Sequence, residues 1–527
     1  MAESILQRPL ETDAPGAISQ PAHLALALSL ARFGRAQEAI ALFEAAIRSD
    51  PAARAAHIGL ARLLLGLGRS IEAFQRADAA LALDMDDAGA WGVVAEALEA
   101  LGEQNLSAQA RERALSLSPL DAELRVRLGR LYEALDRPHD AAALYQRALT
   151  LQPAESDEVE AHVALCGLFG RAGQFAEARA HGEAALARAP ESRAAHQNLA
   201  AVCDHEGRLD EAEAHRERAF RGAPLIVTRA ARPRRRVLTL ASAGRANSPD
   251  RYLIPASRYD RLVWFLAYGE ATPGCEYDVV FNAVADPDAA LDARLQHFAA
   301  GNAKPMLNPP ERIAATARDG AQRLFEGVAD LVVPPTRRVA ARADLEGLDD
   351  AEPWLLRPVG SHGGERLERL QLHDVGQRLA GPPHYLTAYR DFRSSDGLYR
   401  KYRLFFVDRA PFPYHLAASR DWLVHYQTSL TPARQDLIDE ERRFLEDPEG
   451  AIGSRAFRAI CEVGRRMDLD FAGVDFAMLP DGRALVFEAN AAMLVHPEPD
   501  GPLSHKNPFV ARIVEAFWAR LESVSAA

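Results

Sequence analysis

RLGRLYEALDRPHDAAALYQRALTLQP, residues 127–153, decides the fold of the first half of this 527-residue chain, because three of its residues recur at fixed distances elsewhere. Pro153 belongs to the series Pro51, Met85, Pro119, Pro153, Pro190 and Pro224, whose spacings are 34, 34, 34, 37 and 34 residues. Five positions before these markers stand Ala46, Ala80, Ala114, Ala148, Ala185 and Ala219. Seventeen before them stand Gly34, Gly68, Gly102, Asp136, Gly173 and Gly207. Small residues at fixed offsets let two helices approach, a glycine in the left-handed conformation closes the first, and proline stops the second. Each repeat is therefore a helix-turn-helix, and the three extra residues within Glu155 to Glu158 are expected in a turn.

Period, alanines, glycine and terminal proline together resemble the tetratricopeptide repeat, and residues 127–153 follow that family's consensus almost throughout. The resemblance implies six repeats over 20–226 in an all-α, right-handed solenoid, behind a flexible tail at 1–19. Its concave groove would bind a protein or peptide, or a second copy of the chain, without catalysis. His23, His57, His162 and His196 share one repeat position, where Trp91 stands in the third repeat. That place belongs to a bulky packing residue, and a metal would need its ligands to converge at about 2.0 Å.

Composition narrows the partners. The formal charge of −12 argues against nucleic acid, whose phosphates call for a basic surface. The one basic cluster, RPRRR at 232–236, reads as a solvated linker spanning 227–236. No uncharged apolar run reaches the roughly 18 residues of a membrane span. The first twenty residues carry no export signal, and Cys166, Cys203, Cys275 and Cys461 stand in no metal-ligand spacing. A reducing cytoplasm is the expected compartment.

From Arg236 the period is gone. VLTLAS at 237–242 and YDVVFNAV at 277–284 alternate with helical stretches, in the βαβ style of a parallel sheet. Near the end, DFAGVDFAMLPDGRALVFEANAAM places Asp-Gly between two apolar runs, a two-residue hairpin signal. With Asp481 and Gly482 as the turn, Pro480 pairs with Arg483, and Asp475 falls opposite Glu488. Glu488 and Asn490 then share one face, with Phe487 and Ala489 on the other. Two opposed carboxylates and an amide carbonyl suit a hard cation, magnesium or manganese. A solvent-facing acidic pair, or a carboxyl neutralised by a shifted pKa, fits the same spacing. Upstream, Arg357 precedes a loop, Gly360, Ser361, His362, Gly363 and Gly364, whose N–H groups suit a phosphate cradle or simply a tight turn.

The order of arginine, glycine loop, central strand and acidic hairpin resembles the ATP-grasp superfamily over about 237–521, most closely its ribosomal-protein-glutamate-ligase-like and D-Ala-D-Ala-ligase-like members. The chain is thus expected to be multidomain, with the solenoid followed by an α/β Rossmann-like domain at 237–307 and an α+β ATP-grasp domain at 308–527. NPPERIAATARD, 308–319, matches the opening of the central domain. The resemblance puts Arg357 at the phosphate-binding lysine, Gly360 to Gly364 at the flexible loop, and YLTAYRD, with Tyr389 and Asp391, at the adenine-contacting hinge. Asp475, Glu488 and Asn490 match the magnesium ligands, and Arg403 an arginine that reaches the transferred phosphate or substrate carboxylate. Arg420 is a further candidate contact, and His415 and His425 fit either packing or catalysis. A second lysine that many members carry is absent, its neighbourhood offering Arg318. The implied activity is ligation of a carboxylate to an amine through an acyl phosphate made from ATP. A nucleotide-binding scaffold without turnover, or a phosphotransferase, are the alternatives.

Overall fold

The computed structural model describes residues 20–243, 249–270, 272–285, 289–360, 366–379, 383–426 and 428–524. These fall into two compact units dividing at residue 212. The expected tail at 1–19 lies outside the described residues.

The first unit is a succession of paired helices, from Gln20–Arg32 with Ala36–Ser49 to Glu155–Arg171 with Phe175–Arg188, followed by Arg193–Glu206, the first helix of the sixth repeat. Ala46, Ala80, Ala114, Ala148 and Ala185 are fully buried between partner helices. Every residue seventeen before a marker has positive φ, from 56° at Asp136 to 87° at Gly102. Each ends its helix in a Schellman turn: the Arg35 N–H donates to Leu30 O and the Gly34 N–H to Ala31 O, and the pattern recurs at 68, 102, 136, 173 and 207.

The shared histidine position proves to be a cap on the preceding repeat. His57 Nε2 lies 3.2 Å from Pro51 O and His196 Nε2 lies 2.9 Å from Pro190 O. Trp91 Nε1 donates to Met85 O and Arg125 Nη2 to Pro119 O in the same way. The three additional residues before the fifth repeat are not in a turn. They lengthen its first helix, Glu155–Arg171, to 17 residues, beginning with acidic side chains that suit a helix N-terminus. The extra turn carries His162 away from Pro153, and its Nδ1 instead meets His181 Nδ1 at 2.8 Å.

The second unit is mixed α/β and, among the described residues, contains three sheets. In the first, β1 (Leu225–Thr228), β2 (Arg236–Ala241), β3 (Asp260–Phe265), β4 (Val279–Asn282) and β5 (Met306–Leu307) lie in the order β1-β3-β2-β4-β5, parallel except for β1. Only the middle of 227–236 is a solvated connection: 231–234 are exposed, but both ends belong to the sheet. β1 already belongs to this sheet, Arg236 pairs with Asp278, and Arg235 donates to the carbonyls of Glu522 and Val524. Half-buried acceptors at the unit's own edge capture Arg235 and Arg236.

A four-stranded antiparallel sheet follows, built from β7 (Thr336–Val339), β8 (Trp354–Pro358), β9 (Glu368–Leu370) and β10 (His384–Ala388) in the order β7-β10-β8-β9. The third sheet contains β6 (Leu331–Val332), β11 (Tyr399–Val407), β12 (Ala410–Ser419), β13 (Phe471–Met478) and β14 (Ala484–Asn490), ordered β12-β11-β13-β14-β6. Period-two alternation gives this sheet two lives. Tyr402, Leu404, Phe406, Val474 and Phe476 pack on helices Gln435–Glu446 and Ser454–Met467. Phe405, Val407 and Phe471, on the opposite face, are covered by helix Asn507–Ser523 and the first sheet. Where that cover ends, the same face carries Lys401, Arg403 and Asp475.

Candidate active site

Those residues form the floor of a cleft of about 550 Å³ whose walls come from β7, β8 and β10 on one side and β11 to β14 on the other. A wider hollow of about 790 Å³ around Cys275 and His297 gathers one carboxylate, Glu276, and no lysine or arginine. Of these two, the cleft concentrates chemistry.

Across its floor runs one row of directly paired residues. His415 on β12 is opposite Arg403 on β11, Arg403 is opposite Asp475 on β13, and Asp475 is opposite Glu488 on β14. Arg403 grips Asp475 with Nε to Oδ1 at 2.5 Å and Nη2 to Oδ2 at 2.8 Å. Lys401, two residues earlier on the same strand face, brings Nζ to 3.4 Å from Oδ2. Burial alone would raise the Asp475 pKa, but the two cations outweigh it and the carboxyl stays below its ordinary value. Glu488 receives Arg318 at 2.5 Å and the Asn490 amide at 2.9 Å. The Asn490 carbonyl oxygen is held by the Ala492 N–H at 2.7 Å.

Two bulges aim the ends of this row. On β12, Arg403 pairs with His415 but Leu404 pairs with Pro413, leaving Tyr414 as an extra residue. On β14, Asp475 pairs with Glu488 but Phe476 pairs with Val486, leaving Phe487 extra. A bulge puts two consecutive side chains on one face, and indeed Tyr414 and His415, like Phe487 and Glu488, all line the cleft. The turn differs accordingly from the two-residue expectation. Leu479 N–H bonds to Arg483 O and Gly482 has φ +81°, so Pro480, Asp481 and Gly482 make a three-residue loop. The longer loop shifts the register by one and the bulge shifts it back. Asp475 thus meets Glu488, but Phe487 joins the cleft face instead of opposing it.

The other candidate residues divide. Arg357 on β8, opposite Tyr385, lines the cleft. Tyr389 lines it too, its ring edge-on to Trp422 with the Arg369 guanidinium 5.0 Å above, and burial raises its hydroxyl to about 12. Gly360 forms the turn after β8 with φ +78° but is not among the lining residues. Ser361, His362, Gly363 and Gly364 lie outside the described residues. Asp391 and Arg420 do not reach the cleft in this conformation. Asp391 is exposed and accepts the Arg393 N–H, while Arg420 is exposed just beyond the end of β12. Lys401 lines the cleft where Arg420 does not, and period two from Arg403 is the signal that finds it. Arg318, whose guanidinium also lies 5.9 Å from the Tyr385 ring, joins the cleft from a segment with no strand pattern to announce it.

The N-terminal region carries tetratricopeptide repeats: models of that family match residues 30–97, 94–156 and 168–224. Among similar solved structures is YrrB, described as a TPR protein with an unusual peptide-binding site. It is 22% identical, with 34% of this chain and 90% of that one covered at a TM-score of 0.31. TTC0263, a thermophilic TPR protein of Thermus thermophilus, is 26% identical, covering 37% and 100% at 0.28. Pseudomonas aeruginosa pilF is 18% identical, covering 37% and 88% at 0.34. No curated protein matches the chain. Among the described residues no helix is long and apolar enough to cross a membrane.

Proposed function

We propose that the C-terminal unit is an ATP-grasp ligase that joins a carboxylate to an amine through an acyl phosphate, and that the repeats recruit the protein or peptide it acts with. The observation that carries this reading is the row His415, Arg403, Asp475, Glu488 at the base of a cleft between two sheets. Lys401, Arg318 and Arg357 line the same cleft. ATP and a carboxylate repel each other, so a site that brings them together needs more positive than negative charge. Here those three cations and Arg403 face the carboxylates of Asp475 and Glu488.

Asp475, Glu488 and Asn490 are oxygen donors of the kind magnesium prefers, and they would hold it. Bound magnesium would supply charge neutralisation between the phosphates. Arg357 and Arg318 would hold phosphate oxygens, and Arg357 suits two oxygens at once. Arg403, fixed by its double contact to Asp475, would stabilise the charge that develops as a carboxylate oxygen attacks the terminal phosphorus. Tyr389 and Trp422 offer ring faces for a base at the end of the cleft. In the first step a carboxylate oxygen bonds to phosphorus and ADP leaves. In the second the amine nitrogen bonds to the acyl carbon and phosphate leaves.

Repeats of the N-terminal family mediate protein interactions, which supports a protein or peptide as one partner. The test is magnesium-dependent ADP release over a panel of carboxylates, amines and peptides, with Asp475→Asn as the blank. Release above the blank with one carboxylate and amine pair, accompanied by the condensed product, is the expected result. If no pair exceeds the blank, the reading fails.

A further inference from the structure

His415 belongs to that row, but neither chemical step above uses it. His415 is 3% exposed, and neither ring nitrogen has a hydrogen-bond partner among the described residues. Its ring lies flat on Tyr426, with centroids 4.5 Å apart and planes 9° from parallel, which fixes the imidazole without using its nitrogens. A buried polar atom left unpaired costs about 1–3 kcal/mol. The bulge at Tyr414 is what turns His415 onto the cleft face, since unbroken alternation would send it into the helix layer. The fold therefore spends a strand irregularity to put an unsatisfied imidazole beside Arg403.

We infer that His415 is the general base for the incoming amine, accepting a proton from the ammonium on an imidazole nitrogen as the neutral amine attacks the acyl carbon. This rests on the ligase reading above. The balance is complete: the ammonium gives one proton to His415 and the nitrogen lone pair forms the C–N bond. The C–O bond to phosphate then breaks, and the second nitrogen proton leaves with the phosphate or to solvent. Burial, then Arg403, Lys506, Lys401 and His496, hold the imidazole well below its ordinary pKa, so it rests neutral with its nitrogens open to accept. The same burial and cations make it a weak base until the negative charge of bound phosphate offsets them. Facing it are Arg403 and Lys401 on β11, Tyr414 on β12, His425 and Tyr426 on the following loop, Glu441 behind Tyr426, and Lys506 and His496 from the C-terminal segment. Glu441 is fully buried, accepts the Leu416 N–H at 3.1 Å, and lies 3.5 Å from the Tyr426 hydroxyl. It positions the ring on which His415 rests.

The experiment separates amine activation from acyl transfer. Full-length wild type, His415→Gln and His415→Phe are given ATP, magnesium and each common amino acid or its N-acetyl form as carboxylate. The nucleophile is either hydroxylamine, mostly unprotonated at neutral pH, or methylamine and amino acid amides, which are protonated. Both variants are expected to form hydroxamate within about threefold of wild type while losing amide formation by about a hundredfold or more. Their residual amide formation should climb steadily with pH as free amine accumulates. Equal loss of hydroxamate and amide makes His415 merely structural and overturns the inference. So does amide formation by the variants within threefold of wild type, or a wild type that makes hydroxamate but no amide between pH 6 and 9. A wild type that makes no hydroxamate with any carboxylate instead removes the ligase reading itself.

Discussion

In the first unit a residue does the same local task six times, whereas in the second each cleft residue does its task once and through partners on other strands. Gly34 closes one helix within a single turn of chain: its own N–H bonds to Ala31 O and the next N–H, of Arg35, to Leu30 O. Asp475 means nothing by itself: its position is set by Arg403, 72 residues away in sequence, and by the bulge at Phe487. Local devices repeat because each is complete within one turn of chain. The cleft is a product of register, and register is a property of neighbouring strands together. A mutation should therefore act locally and mildly in the solenoid, and jointly and severely in the cleft.

The severest expected case is Asp475→Asn. It removes the buried charge that neutralises a half-buried Arg403, so the C-terminal unit should lose about 3 kcal/mol of stability, the lower end of the cost of orphaning one partner of a buried pair. Magnesium-dependent ADP release should fall by about a thousandfold, the scale of removing a central electrostatic contact. Calorimetry and ADP release on one sample check both. A variant as stable as wild type would mean that Arg403 finds another partner, and the idea of a jointly built row would need revision.

Deleting Phe487 sharpens the same point. The shortened strand would alternate without interruption, with Leu485, Glu488 and Asn490 still on the cleft face and Val486 and Ala489 still inward. The contact between Phe487 and Phe392, centroids 4.8 Å apart, would be lost. Stability should drop by about 1–3 kcal/mol, less than for a fully buried ring, and ADP release should fall less than tenfold. A collapse to the Asp475→Asn level would show that the bulge itself shapes the site.

This deletion also marks how far the sequence could be read. The spacing of Asp475, Glu488 and Asn490 is visible in the chain, and their juxtaposition follows from counting across PDGR. Yet the count assumes a two-residue turn and an unbroken strand, and two opposite one-residue errors cancel at Asp475. Neither a three-residue loop nor a bulge leaves a periodic trace, since each concerns one residue. Arg318 is hidden for a similar reason: it arrives from irregular chain, and only the folded cleft pairs it with Glu488. The repeats were legible because the same accident is improbable six times. Even there the three extra residues within Glu155 to Glu158 mislead, because acidic residues suit a helix start as well as a turn.

A smaller effect is a pH dependence carried by one cleft residue. His415 has a folded pKa far below its unfolded value near 6.5. Below that value the unfolded chain binds a proton that the folded chain refuses, so stability falls as pH drops, by up to about 1.4 kcal/mol per pH unit. His415→Phe should flatten that part of the slope between pH 6.5 and 5.5. Urea unfolding followed by tryptophan fluorescence reads it, since Trp264, Trp354, Trp422 and Trp518 all report on the C-terminal unit. An unchanged slope would place the protonation of His415 in both states alike.

The mildest case is the one place where the solenoid departs from its own rule. Asp136 holds φ 56° where the other five repeats have glycine. A side chain in the left-handed region is strained, less for aspartate than for most, and glycine relieves it at the cost of a freer unfolded chain. Asp136→Gly should stabilise the solenoid by about 0.5 kcal/mol, while Gly102→Ala should destabilise it by about 1 kcal/mol. Neither should change ADP release. Hydrogen exchange at the Arg137 N–H, which closes that turn on Tyr132 O at 2.8 Å, gives the direct reading. If Asp136→Gly instead destabilises, the Asp136 side chain makes a favourable interaction of its own, and the sixfold device is not strictly the same device six times.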